Sequence, residues 1–449
     1  MAIFLALLFG ISRLINLMAL PPYWDEIIYI RWLIAIKTHQ AWLLPLKEFG
    51  WEPLNIWLAA LANRAVTDPL LALRLTTTFF GGLSAIMAYK TIKLIYNKTA
   101  AIFTASLVII CPLLLVHDRL GLRGEAVISF VSWLTLMGLY LRLVKKNSWA
   151  VYLIAIALIV GLMTKTTAMA LVPAVLLSYL FFRPRLVKAD FLAALISCLP
   201  FLFFTLTDTL SNVLNKKDVF VLSWAQLGSL IKPNLIQAGL WFYQYLTWPI
   251  LLVGALGLIL VGRFYRRCGG LLLLNILPAF LLIILIGSMF FPRYLVSVVS
   301  LLLTFGGIGL AWLYQKLPRL LKPLLAIIFL PSLFLDFQII KDIRQAKLPE
   351  IERWQYVTGW PSGYGLPELI TYLKTNPPSV LVTEDNDLVK TGLTYLWPNY
   401  PFTITQIPTQ NAYFVLNISE QLPEGIKGEL IKEFPRPENK SSIKLFKLL

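Results

Sequence analysis

Residues 70–146 read LLALRLTTTFFGGLSAIMAYKTIKLIYNKTAAIFTASLVIICPLLLVHDRLGLRGEAVISFVSWLTLMGLYLRLVKK. Three apolar runs, about 70–92, 99–116 and 125–143, are long enough to cross a bilayer core, which takes roughly 17–25 residues. The two connections between them differ in kind. The first is basic, with Lys90, Lys93 and Lys98. The second, His117-Asp118-Arg119-Leu120-Gly121-Leu122-Arg123-Gly124-Glu125, mixes both signs. A second basic cluster, Arg142, Lys145 and Lys146, closes the stretch. Loops that stay in the cytoplasm hold Lys and Arg, so the alternation marks a chain threading back and forth through a membrane.

Outward from there the pattern covers residues 1–340. Eleven apolar spans are expected, at about 3–20, 70–92, 99–116, 125–143, 149–163, 167–182, 189–207, 241–261, 270–288, 294–314 and 323–340. The fifth and sixth are short. The turn Thr164-Lys165-Thr166-Thr167 separates them, and they read as a hairpin, with one broken helix as the alternative. Three further basic clusters follow: Arg183/Arg185/Lys188, Arg263/Arg266/Arg267 and Lys316/Arg319/Lys322. All five clusters fall on alternate connections, which places the N-terminus in the cytoplasm and residues 341–449 outside. Segments 21–69, 117–124, 208–240 and 289–293 and the Thr164–Thr167 turn then also face outward. No A-x-A-like site follows the first span, which reads as a retained anchor. The expectation is a multi-pass plasma-membrane protein.

Composition agrees. The 449 residues are 58% hydrophobic and 14% charged, with a mean hydropathy of +0.73. That excludes a disordered chain and an ordinary soluble enzyme. Residues 1–340 carry 28 Lys and Arg against 11 Asp and Glu, the whole of the +17 net charge. The surplus follows topology and gives no reason to expect nucleic acid. Cys111, Cys198 and Cys268 lie far apart, and His39 and His117 are the only histidines, so neither a disulfide framework nor a zinc motif is present. Walker A, G-x-G-x-x-G and H-E-x-x-H motifs are absent.

Residues 341–449 are electrically balanced, with 12 basic and 12 acidic side chains. Helices are expected at Glu368–Lys374 and Leu388–Leu396. Strands are expected at Ser379–Val382, Phe402–Ile407, Tyr413–Leu416 and Ser442–Leu448. The predicted architecture is an α-helical polytopic membrane domain over 1–340 and a small extracytoplasmic α/β domain over 341–449.

The outward loops hold the chemistry. Pro21-Pro22-Tyr23-Trp24-Asp25-Glu26 places two carboxylates directly after the first span. Neighbours on a helix point about 100° apart, so only one can face a given cavity. A carboxylate buried at a membrane surface is suited to serve as a general base. Arg119, Arg123, Lys165 and Arg293 border outer ends of spans, where cations are disfavoured, and suggest an anionic ligand. Arg would grip a phosphate as a fork and Lys as a point charge.

These residues carry a resemblance to the GT-C class of membrane glycosyltransferases, in the branch of protein O-mannosyltransferases and lipid A aminoarabinose transferases. The matching features are Asp25-Glu26, the stretch Arg119 to Glu125, the turn Gly161-Leu162-Met163-Thr164-Lys165, and Arg293-Tyr294. They span residues 1–314. The resemblance implies an enzyme that takes a sugar from a polyprenyl-phosphate carrier and passes it to a protein, lipid or glycan acceptor at the outer face. It implies Asp25 as catalytic base with Glu26 in support, Asp118 or Glu125 as second acid, and Lys165 and Arg293 on the carrier phosphate beside Tyr294. Relatives carry a His-Pro-Pro stretch where this chain reads Trp51-Glu52-Pro53-Leu54, which leaves Glu52 either in that role or as a solvated loop acid. Carboxylates on outer loops could hold a divalent metal, but their spacing does not demand one, and no other cofactor is implied. Two rival readings are a flippase or transporter for a lipid-linked glycan and a non-catalytic membrane scaffold. The mid-span positions are almost purely apolar, which disfavours the transporter.

Overall fold

The computed structural model describes residues 2–121, 124–215, 227–384 and 387–449. Every expected span has a helical counterpart. Among the described residues, seven helices are long and apolar enough to cross a membrane: Pro69–Ile95, Glu125–Val144, Lys188–Leu206, Ser229–Phe264, Arg266–Leu285, Pro292–Lys316 and Lys322–Gln345. The pair Lys98–Ile109 and Pro112–Arg119 adds an eighth span, bent by 59°. Its bend falls where Pro112 cannot donate a helical hydrogen bond. Ile3–Leu14, Ser148–Thr164 and Thr166–Phe182 are apolar but shorter. Length and apolarity therefore account for seven or eight of the eleven expected spans. At 1.5 Å per residue, the 14-residue helix Val151–Thr164 is roughly 21 Å long, short of a bilayer core of about 30 Å.

The first outward segment is more ordered than its hydropathy predicts. It folds into helices Trp24–His39, Leu44–Phe49 and Leu54–Ala62. The break after the short helix at Thr164 leaves Lys165 in extended backbone, followed by a 3-10 turn over Thr166–Ala170. The helix of the eighth expected span starts at Leu227, well before the expected 241, and is broken at Thr247.

The basic connections gather at one end of the bundle. Tyr96 and Tyr265, from two of them, pack edge-on with centroids 5.1 Å apart. Arg142 binds Asp190 at 2.7 Å and the Arg185 carbonyl at 2.8 Å, tying two more together.

Helices pack closely where they carry glycine, as lipid-facing bundles require. A Cβ on Gly257 would meet the Phe305 carbonyl oxygen at 1.8 Å, and one on Gly307 would meet Thr104 Oγ1 at 2.0 Å. The sheet lies after the last long helix. Strands β1 (Val380–Thr383), β2 (Thr403–Thr405), β3 (Tyr413–Leu416), β4 (Gly428–Pro435) and β5 (Ser442–Leu448) are ordered β2-β1-β3-β5-β4. β1 pairs in parallel with β2 and β3, whereas β5 runs antiparallel to β3 and β4. Helices Leu366–Thr375 and Asp387–Leu396 cover the sheet through Leu369, Leu373 and Leu393. Leu388 packs into the cluster of Ile27 and Ile28, and Tyr395 donates to Asp68 at 3.0 Å, so the sheet domain sits on the first outward segment.

Gly257→Val forces the helices apart at the Phe305 carbonyl. Overpacking of this kind costs about 1–3 kcal/mol. Thermal unfolding in detergent should show a lower Tm than wild type, while Gly254→Val, where a Cβ meets open space, should leave Tm unchanged.

Candidate functional site

A charge in a low-dielectric interior is tolerated only when paired. Four carboxylate–cation pairs, buried except for the partly exposed Lys165, organise the end of the bundle opposite the basic connections. Arg293 Nη1 donates to Asp25 Oδ2 at 3.0 Å. Lys165 Nζ donates to Glu125 Oε1 at 2.5 Å, and Arg293 Nε lies 4.0 Å from the same oxygen. These two pairs thus form one chain: Asp25, Arg293, Glu125, Lys165. Lys165 sits over the Tyr294 ring at 4.7 Å, and Arg293 lies 4.6 Å from the Phe291 ring centre. Four elements supply the cluster: the helix Trp24–His39, the start of Glu125–Leu139, the break after Thr164, and the 3-10 turn Pro292–Leu295.

Five residues singled out from the sequence, Asp25, Glu125, Lys165, Arg293 and Tyr294, therefore converge. Three others do not, and each has a physical reason. Glu26 is fully buried and grips Arg74 through both oxygens, at 2.8 and 2.7 Å, while its Oε1 also accepts from the Gly121 N–H at 2.8 Å. Its carboxylate is thus engaged by Arg74 and the Gly121 backbone, apart from the cluster. Asp118 binds Arg13 at 3.1–3.2 Å beneath Gly81. Glu125 is thus the second acid at the cluster. Arg119 spends its guanidinium on the carbonyls of Ser12, Arg13 and Asn16, capping the end of the first helix. It also borders a separate cavity of about 320 Å³ with Tyr364. Arg123 lies outside the described residues.

Glu52, left open by the sequence, joins the site, as do Tyr356 and Glu352, which had no sequence signal of their own. Glu52 is buried, not solvated, and accepts from Thr166 Oγ1 at 2.5 Å, next to Lys165. Tyr23 and Tyr356 are buried and stack edge-on at 5.0 Å. Burial, with Glu352 beside it, pushes the Tyr356 phenol well above its ordinary range, so it stays a neutral hydroxyl. Asp25, Glu125 and Arg293 are near enough to act on it electrostatically. His117 Nε2 lies 2.8 Å from Glu352 Oε1, with both side chains buried. Tyr356 and Glu352 come from the segment after the last long helix, so that segment helps enclose the site.

Among the described residues, no group of three His, Cys, Asp or Glu could hold a metal ion. The carboxylates of the cluster are instead matched to Lys165 and Arg293. This donor set suits an anion.

Known proteins provide the context. Residues 52–207 match the family model described as dolichyl-phosphate-mannose-protein mannosyltransferase. Among solved structures, apo ArnT from Cupriavidus metallidurans superposes with a TM-score of 0.64 at 13% identity, over 98% of this chain and 96% of that one. The fold is of the GT-C type. The same ArnT bound to undecaprenyl phosphate gives a TM-score of 0.63 at 13% identity, over 99% and 97% of the two chains. The Archaeoglobus fulgidus oligosaccharyltransferase, in a complex with Zn and sulfate, gives 0.59 at 14% identity over 90% of this chain and 61% of that one. No curated protein matches in sequence. Within this GT-C-type fold, the paired cluster lies where the bundle meets the sheet domain.

Removing one partner of a buried pair strands the other charge, at a cost of about 3–5 kcal/mol. Arg74→Met should lower Tm sharply in detergent. Arg74→Met combined with Glu26→Gln should recover much of the loss, because no charge is then left unpaired.

Proposed function

We propose that this protein is a glycosyltransferase that moves a sugar from a polyprenyl-phosphate donor to an acceptor at the outer face of the membrane. The observation that carries the reading is the chain Asp25–Arg293–Glu125–Lys165, which sets a candidate base beside two buried cations. The family match over residues 52–207 and the fold likeness to ArnT, one structure of which holds undecaprenyl phosphate, support it.

The chemistry follows from the residues. The bond between the anomeric carbon and the phosphate oxygen breaks, and its electron pair leaves with the phosphate. Arg293 and Lys165 stabilise that developing charge. Tyr294 holds the Lys165 ammonium against its ring face. The acceptor oxygen attacks the opposite face of the sugar, and Asp25 takes its proton. Without donor, the carboxylates Asp25 and Glu125 stand in as counter-ions to Arg293 and Lys165. A phosphate arriving there draws the cations toward itself, which frees Asp25 to accept a proton. A single displacement inverts the anomeric centre, whereas a glycosyl–enzyme intermediate would retain it.

The orientation belongs to the same reading. The basic connections share the far end of the bundle, and the positive-inside bias supports a cytoplasmic position for that end, with the cluster and sheet domain outside the plasma membrane.

Native mass spectrometry of protein purified in mild detergent tests the donor site. Wild type should retain a polyprenyl phosphate or its sugar conjugate, and Arg293→Ala and Lys165→Ala should lose it. A wild type that stays lipid-free even when the lipid is supplied would sink the phosphate assignment. For the base, Asp25→Asn should keep the lipid but lose transfer by about 10²–10⁴-fold. Product analysis by NMR should show an inverted anomeric centre, and a retained one would refute direct displacement.

A further inference from the structure

A second concavity lies in the sheet domain, away from the charged cluster. It is a groove of about 780 Å³, within the range of roughly 300–1,000 Å³ typical of small-ligand sites. Its floor holds Trp354 and Trp360, both half-buried, with ring centres 6.0 Å apart and nearly perpendicular. Polar side chains complete its lining: Glu420, Ser442, Lys440, and the cross-strand neighbours Glu433 and Lys444.

The groove is built, not incidental. Arg436 is buried, and it donates to the carbonyls of Trp360 and Ser362, to Ser441 Oγ and to Asn417 Oδ1. It thereby joins the floor to both walls. Burial lowers its guanidinium to about 10, which leaves it charged at neutral pH. Glu384 accepts from the successive N–H groups of Asn417, Ile418 and Ser419 at 2.9–3.0 Å and fixes one wall. Gly359 lets the Trp354 indole fold back on the chain, since a Cβ there would meet Trp354 Nε1 at 2.4 Å.

We propose that this groove binds a neutral glycan and that the glycan is the acceptor. The second half of the statement rests on the transferase reading; the first does not. A sugar ring offers an apolar C–H face and a rim of hydroxyls. The two indoles suit the face, and the carboxylates, ammonium groups and hydroxyls of the rim suit the hydroxyls. The rim charges cancel, two acidic against two basic, so an anionic head group or a strongly charged peptide finds no complementary field. The groove also adjoins the charged cluster through one contact. Trp360 packs edge-on against Trp24 at 5.3 Å, the Trp24 N–H donates to the Pro361 carbonyl at 2.8 Å, and Asp25 is the next residue.

The test uses the full chain in lipid nanodiscs, because detergents with sugar head groups would compete for the groove. Saturation-transfer NMR and calorimetric titration are run with maltohexaose, cellohexaose and α-1,6-mannohexaose, and with a serine- and threonine-rich peptide. At least one hexasaccharide should bind wild type. Trp354→Ala should weaken it about tenfold, as expected for the loss of one stacking face. Glu433→Ala, at an exposed position that leaves the fold intact, should weaken it several-fold. Undecaprenyl phosphate retention is read in parallel and should be the same in both variants. No hexasaccharide binding at millimolar concentration, or binding that both variants leave unchanged, overturns the proposal. Binding of the peptide alone, lost in Trp354→Ala, overturns it in favour of a protein acceptor. A chain that binds glycan but retains no lipid upholds the groove and defeats the transferase reading instead.

Discussion

The contact between Arg293 and Asp25 joins residues 268 positions apart, and much of the outward face depends on it. Neither charge is stable alone at a buried position, and neither is fully satisfied by the other. Arg293 Nε has no hydrogen-bond partner among the described residues, and it leans toward Glu125, which in turn holds Lys165. The result is a line of alternating charges with unspent capacity. Such a line is stable enough to fold and open enough to accept an anion. The pairs Arg74–Glu26 and Arg13–Asp118 obey the same electrostatic rule to a different end. They are closed, with carbonyls filling the remaining donors, and they hold the helices that present the open pair.

The site is not a property of the membrane bundle alone. Tyr356 and Glu352 reach it from beyond the last long helix, and Tyr23 meets Tyr356 from the first outward segment. The turn that follows Tyr356 then packs on Pro22 so tightly that a Cβ on Gly363 would lie 2.2 Å from its carbonyl oxygen. Two parts of the chain separated by most of its length are clamped over the same few side chains. The groove lined by Trp354 and Trp360 is the outer surface of that clamp.

Much of this was legible in the sequence, for reasons that differ by element. Hydropathy located the spans because lipid imposes a minimum length on each of them. Charge alternation separated two kinds of connection because it reports threading, and five of the residues it drew attention to do meet. It was blind to partner choice. Asp25 and Glu26 look alike as letters, and only helix geometry together with Arg74, 48 residues away, separates them. A lone Arg inside an apolar run, as at Arg13 and Arg74, was the overlooked signal: each demanded a buried carboxylate somewhere. The helices within 21–69 went unread because they are too short to span a bilayer. β4 went unread because it is an edge strand with mostly exposed residues, and a bulge between Leu430 and Lys432 breaks its alternation. β3, an apolar run buried over Phe414–Leu416, and β5, with its alternating burial, were read to the residue.

The strand order has a bearing on how the molecule is made. β5 enters the sheet between β3 and β4, so β4 is held to the sheet only through β5. Arg436 directly follows β4, and it ties the Trp360–Ser362 turn to the sheet domain. Asp25, Glu125, Lys165 and Arg293 all precede this hairpin in the chain. A ribosome-bound chain would therefore carry every residue of the ion-pair cluster before it carries Glu433, Lys440 and Lys444 of the groove, so the order of synthesis sets which of the two surfaces can be completed first.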